Sequence, residues 1–140
     1  MTQAKIAIIG LGLIGTSFGL NLTKNDKRNY IVVGYDIKRG RERTAEKAGA
    51  IDKRSPSIKE AVTDANIVIV ATPSLAAKTV LEELSDYIHS DALITDTCST
   101  KAVFMEHATE VLPQSVNIIG GHPMAGSDKS GPAEANINLF

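Results

Sequence analysis

The feature that most constrains this chain is a short apolar run, Ile6-Ala7-Ile8-Ile9, that stops at Gly10 and is followed by Gly12 and Gly15. A run this short and this rich in β-branched residues favours a strand buried on both faces, which belongs near the centre of a sheet. Leu13, Ile14, Phe18, Leu20 and Leu22 then suit a helix from Leu13 to about Lys24, ended by the polar cluster Lys24-Asn25-Asp26-Lys27. A strand, a glycine turn and a helix in immediate succession open a βαβ unit.

The rest of the chain continues the alternation. Tyr30 to Tyr35 forms a second strand that stops at Asp36, and a charged helix from about Arg39 to Ala48 follows, with Ala45 and Ala48 on its buried side and Gly49 to end it. A weak third strand is expected near Ile51-Asp52, then a short helix opened by Ser57, which has Glu60 at capping-box spacing. Asn66 to Ala71 is the clearest strand and ends at Thr72-Pro73. A helix over about Ala76 to Tyr87, a strand at Ala92 to Thr95, a helix from about Thr100 to Leu112 and a strand at Val116 to Ile119 complete the order. Buried strands alternating with helices imply right-handed crossovers and a mainly parallel sheet covered on both faces. Six strands fit the order 3-2-1-4-5-6 of the Rossmann-type doubly wound α/β fold, whose ligand crevice lies at the carboxyl ends of the strands where the order reverses. With no repeat or linker in view, residues 1–140 are read as one domain.

Charge and composition narrow the partners. A formal net charge of -1 argues against nucleic acid, whose binders carry a basic excess, and no apolar run approaches the roughly 20 residues that span a bilayer. A small molecule is the expected partner, with no nucleic acid and no membrane. Cys98 is the only cysteine, so no internal disulfide is possible, and no Cys/His cluster has metal-ligand spacing. The segment before Ile6 lacks the pattern of a secretory signal, and a cytoplasmic location is expected.

The glycine turn points to a dinucleotide. Gly10 is expected to make the turn off the strand, Gly12 to let the backbone approach a pyrophosphate, and Gly15 to let the helix pack closely, with Leu13 and Ile14 at the helix start beside the anion. Asp36, about 20 residues on, is placed to accept hydrogen bonds from the adenosine ribose hydroxyls, and its charge favours NAD over NADP. Lys38 and Arg39 are the cations that could hold a 2′-phosphate instead, although the charge run they open is more simply a solvated helix face. Thr72 and Pro73 should pass the inner half of the cofactor, with helix entry as the plainer role for Pro73.

Two later segments carry the residues suited to chemistry. His122 follows the sixth strand between Gly120-Gly121 and Gly126, where glycine backbone permits a ligand to come close, and imidazole can act as a base near neutrality. Ser99 follows the fifth strand and can orient such a base or cap the next helix. Lys101 is expected on the surface of that helix, Cys98 as a small buried apolar group, and His89 and His107 receive no role.

The order GLGLIG, VVGYD, ATP, TDTCSTK and GGHPMAGSDKSG resembles the prephenate and arogenate dehydrogenases of tyrosine biosynthesis, over essentially all 140 residues. The resemblance implies that His122 accepts the proton of the ring hydroxyl while the carbon bearing it gives hydride to the nicotinamide. Loss of the ring carboxylate as carbon dioxide then makes the ring aromatic. It also implies that Ser99 sits beside His122 and the substrate hydroxyl, that Ser127 contacts substrate, and that a helical C-terminal domain supplies a carboxylate-gripping Arg and a homodimer contact. A chain ending at Phe140 is therefore expected to bind NAD and to turn over substrate poorly or not at all. Other readings remain: a dehydrogenase of the 3-hydroxyisobutyrate or 6-phosphogluconate type, or a module that senses the dinucleotide without reacting.

Overall fold

Side chains alternate between the faces of a strand, and in the first strand both faces are buried. Ile6 and Ile8 point into one core cluster with Val32, Ala45 and Ile51, whereas Ala7 and Ile9 point into another with Val62, Leu81, Leu84 and Phe104. The computed structural model describes residues 2–140. Its strands are β1 (Ala4–Ile9), β2 (Tyr30–Tyr35), β3 (Lys53–Arg54), β4 (Ile67–Val70), β5 (Leu93–Asp96) and β6 (Asn117–Ile119). They form one parallel sheet in the order β3-β2-β1-β4-β5-β6, as the alternation predicts. Helices α1 (Leu13–Thr23) and α2 (Arg41–Lys47) cover one face, and α3 (Ile58–Val62), α4 (Ser74–Ser85) and α5 (Lys101–Val111) cover the other.

Several local expectations are corrected. The fully buried residues of α1 are Gly15, Thr16, Ser17 and Gly19, while Phe18, Leu20 and Leu22 are only partly buried. This helix reaches the sheet by being small: a Cβ on Gly15 would stand 2.0 Å from the Gly10 carbonyl oxygen. In α2 the buried residue is Ala45, and Ala50 rather than Ala48 joins it in the core. Gly49, at φ +78°, does end the helix, donating to the Glu46 carbonyl at 3.0 Å. The third strand is Lys53–Arg54, two residues past the expected Ile51-Asp52, because Ile51 spends its side chain in the core while the pairing with Val33 and Gly34 falls on the exposed Lys-Arg pair. Helix α4 starts at Ser74, with Pro73 as its extended N-cap.

At Ser57 the cap is one-sided: its hydroxyl accepts from the Glu60 N–H at 3.1 Å. The other end of α3 is closed by Lys5 of β1, whose Nζ donates to the Glu60 and Thr63 carbonyls at 2.8 Å each. Beyond β6 the chain runs without regular structure to a short 3₁₀ turn, Pro132–Glu134, and lies along α1. There Asn136 N–H donates to Ser17 Oγ at 3.0 Å, and Asn21 Nδ2 donates to the Ile137 carbonyl at 2.8 Å. No helix among the described residues is long and apolar enough to cross a membrane.

Candidate functional site

Five parallel strands each carry a residue singled out from the sequence shortly past their carboxyl ends: Gly10 after β1, Asp36 after β2, Thr72 after β4, Ser99 after β5 and His122 after β6. A single cleft of about 860 Å³ is bordered by all five of these segments, a volume within the range of roughly 300–1,000 Å³ usual for small-molecule sites. Strand order reverses between β1 and β4, so the cleft opens where doubly wound sheets hold their ligands.

On one side the wall is the glycine turn. Gly10 has φ +99°, and a Cβ there would stand 2.5 Å from the Ala71 carbonyl oxygen, so the turn is available to glycine alone. At Gly12 a Cβ would meet nothing nearer than Arg41 Nη1 at 3.8 Å, which leaves that backbone facing open space. Asp36 holds the turn from below: its Oδ2 accepts from Leu11 N–H at 2.8 Å and its Oδ1 from Lys38 N–H at 2.7 Å. Arg41 Nη1 stands 3.6 Å from the same Oδ2. The guanidinium paired with Asp36 is thus that of Arg41, while Arg39 borders an adjoining polar depression, which Asp36 also lines, with Glu42 and Arg43. Between the two sides, Thr72 Oγ1 is buried without a hydrogen-bond partner. An open backbone at Gly12 and an unpaired hydroxyl in the wall are what a polar, phosphate-bearing ligand would use.

On the other side are the β5 and β6 ends. Ser99, His122 and Ser127 are exposed and border the cleft together with Thr97 and Cys98. Ser127 Oγ is engaged locally, accepting from Lys129 N–H at 3.0 Å. The N-cap of α5 is Thr100, with no side-chain cap bond, so Ser99 is not the cap the sequence suggests. Cys98 is buried in the core, and burial pushes its thiol pKa up against a smaller opposing pull from a hydrogen bond to Ser74.

Two residues here escaped the sequence reading. Asp96, whose side chain has no exposed surface, is paired with Lys101 Nζ and accepts from Cys98 N–H and Gly121 N–H, both at 3.0 Å. Lys101 is therefore an inward ion-pair partner and not a surface residue of α5. Gly120 and Gly121 likewise make room for protein. A Cβ on Gly120 would meet Lys101 Cδ at 2.6 Å, and one on Gly121 the Asp96 carbonyl oxygen at 2.4 Å. The advance signals for Asp96 were its place at a strand end, three residues before Ser99, and its place with Lys101 in the TDTCSTK segment that carries the family resemblance.

A doubly wound parallel sheet with one cleft at its switch point, a glycine turn on one wall and a strand-end carboxylate beneath it, defines the class of nucleotide-binding α/β domains. More narrowly, residues 18–140 match the family model described as "Prephenate dehydrogenase, nucleotide-binding domain", and the chain belongs to that family. The prephenate dehydrogenase of Bacillus subtilis is 44% identical over 143 residues, which cover 100% of this chain and 38% of that relative. The chain thus spans well under half the length of the curated relatives it matches. Among solved structures, prephenate dehydrogenase from A. aeolicus in complex with hydroxyphenyl propionate and NAD+ superposes with a TM-score of 0.87 at 27% identity, covering 100% of this chain and 48% of that one. Synechocystis arogenate dehydrogenase gives a TM-score of 0.85 at 30% identity, covering 97% of this chain and 46% of that one.

Proposed function

We propose that the cleft binds NAD and that this domain serves the oxidative decarboxylation of prephenate to 4-hydroxyphenylpyruvate, or of arogenate to tyrosine. The observation that carries the proposal is the convergence of His122 and Ser99, from two different strand ends, on the cleft that Gly12 and Asp36 border from the opposite side. In this assignment Gly12, Leu13 and Ile14 receive the pyrophosphate, while Gly10 makes the turn and Gly15 the close helix packing that shape the site. Asp36 receives the adenosine ribose on the lone pairs left free by Leu11 and Lys38, while Thr72 and Pro73 flank the inner half. When bound, NAD supplies the hydride acceptor.

His122 takes the proton from the substrate's ring hydroxyl oxygen onto an imidazole nitrogen, and Ser99 Oγ holds that hydroxyl in line. Removing the proton as hydride leaves the same carbon makes the new carbonyl, and departure of the ring carboxylate restores aromaticity. Ser127, in the same wall, is assigned to substrate. The region that the relatives carry beyond the matched span is assigned the carboxylate-gripping Arg and a homodimer contact. The named relatives support a place in tyrosine biosynthesis, and a cytoplasmic location belongs to the same proposal.

The test is an assay of the protein in its full length with prephenate and arogenate, each with NAD and NADP. Reduction of NAD coupled to carbon dioxide release with either substrate is the expected result. Tight NAD binding with no turnover of either would favour a dinucleotide-sensing role instead.

A further inference from the structure

We propose that Asp96 is a positioning residue that sets the Ser99 turn and the His122 loop at a fixed separation, with Lys101 as its counter-ion; this rests on the assignment of His122 as the base. Asp96 does not border the cleft, so it acts through others. A buried carboxylate is unfavourable unless it is both paired and hydrogen-bonded, and this one is fully compensated. The compensation is divided by oxygen. Oδ2 receives Cys98 N–H and Lys101 Nζ, both from the turn that carries Ser99 and leads into α5. Oδ1 receives the N–H of Gly121, the residue directly before His122 and 25 positions away. One rigid group of three atoms therefore spans the two segments on which the proposed chemistry depends.

The neighbouring sterics say the same. The β5–β6 ladder ends at Thr95 opposite Ile119, and Gly121 is the next tether beyond it. Glycines at 120 and 121 let the stem of Lys101 and the carbonyl of Asp96 lie directly against the loop backbone. A loop otherwise exposed and irregular is thereby fixed one residue before its imidazole.

Asp96→Asn tests the tether with little change of size, because its amide must turn a donor toward either Lys101 or a backbone N–H. In the full-length protein it is expected to lower kcat by about 100-fold, the effect of misplacing a catalytic group by about an ångström. The Kd for NAD should stay within about threefold, since the glycine turn and Asp36 are untouched. Lys101→Met should lower kcat in the same manner and Lys101→Arg should restore most of it, a rescue that general support of the fold would not give. Wild-type kcat in Asp96→Asn, or a parallel loss of NAD affinity, would overturn the proposal.

A second measurement does not depend on turnover. In the 140-residue chain labelled with ¹⁵N, the Gly121 amide should exchange with solvent at least about tenfold faster in Asp96→Asn and Lys101→Met than in wild type. Unchanged exchange overturns the tether even if kcat falls. Faster exchange with no turnover of either substrate by the wild-type protein would instead uphold the tether and refute the assigned reaction.

Discussion

The two walls of the cleft are built in opposite ways. The glycine-turn wall is an extension of the core: Leu11 is wholly buried, Gly10 and Gly15 admit no Cβ, and Asp36 is engaged on both oxygens before any ligand arrives. The His122 wall is exposed backbone without regular structure, secured at Gly121 by one buried carboxylate. Binding energy is realised most fully against a preorganised surface, whereas the base proposed at His122 would have to stand clear of the core to reach a substrate. Substitutions on the first wall should therefore cost folding and cofactor affinity, and those on the second should cost rate.

That contrast can be broken at several points. Gly15→Ala should have the largest effect, because the added methyl faces a backbone oxygen that cannot move cheaply. A loss of at least about 3 kcal/mol in a urea titration is expected, and a loss below about 1 kcal/mol would mean that α1 is not pinned to the turn. Asp36→Ala comes next. Removing the acceptor for Leu11 and Lys38 should cost roughly 1–3 kcal/mol of stability. In calorimetric titrations it should also raise the NADP-to-NAD affinity ratio at least about tenfold, since Arg41 loses its carboxylate and is free for a 2′-phosphate. An unchanged ratio would remove Arg41 from the cofactor's ribose end.

Lys5→Met should cost only about 1 kcal/mol, since losing two carbonyl bonds is offset by relief of the desolvation that pulls the Lys5 pKa down. Chemical denaturation reads this directly, and NAD affinity should not move. The smallest expected signal is at Cys98. A raised pKa means less thiolate at any given pH, so at pH 7.5 the native thiol should react with iodoacetamide far more slowly than the unfolded one, with the rate climbing as pH rises. Rapid labelling of the native chain would show the β5 end of the second wall to be open.

Strand order and the glycine turn were legible because they rest on local patterns: apolar runs, their spacing, and turns at fixed offsets. Errors arose where a residue's use is decided at a distance. Ile51 reads as a strand residue but is needed in the core, which moves the pairing to Lys53–Arg54. Phe18, Leu20 and Leu22 mark α1 as a helix without showing which face meets the sheet, and helix and sheet approach so closely that only Gly, Thr and Ser are fully buried between them. Gly120-Gly121 reads as space for a ligand and is filled by Lys101 and Asp96. The worth of Asp96 itself was hidden, since a donor 25 positions downstream sets it. So was the docking of the last residues on α1 through Ser17 and Asn21, two polar side chains with no apolar period to announce them.

The separation of binding from chemistry is tested most directly by His122→Asn, with the NAD Kd measured by titration and kcat with prephenate and arogenate in the full-length protein. The expected result is a loss in kcat of about 10²- to 10⁴-fold, the range of a removed general base, with the NAD Kd within about threefold of wild type. An NAD affinity that falls in step with kcat would contradict it, and would make His122 part of the cofactor wall.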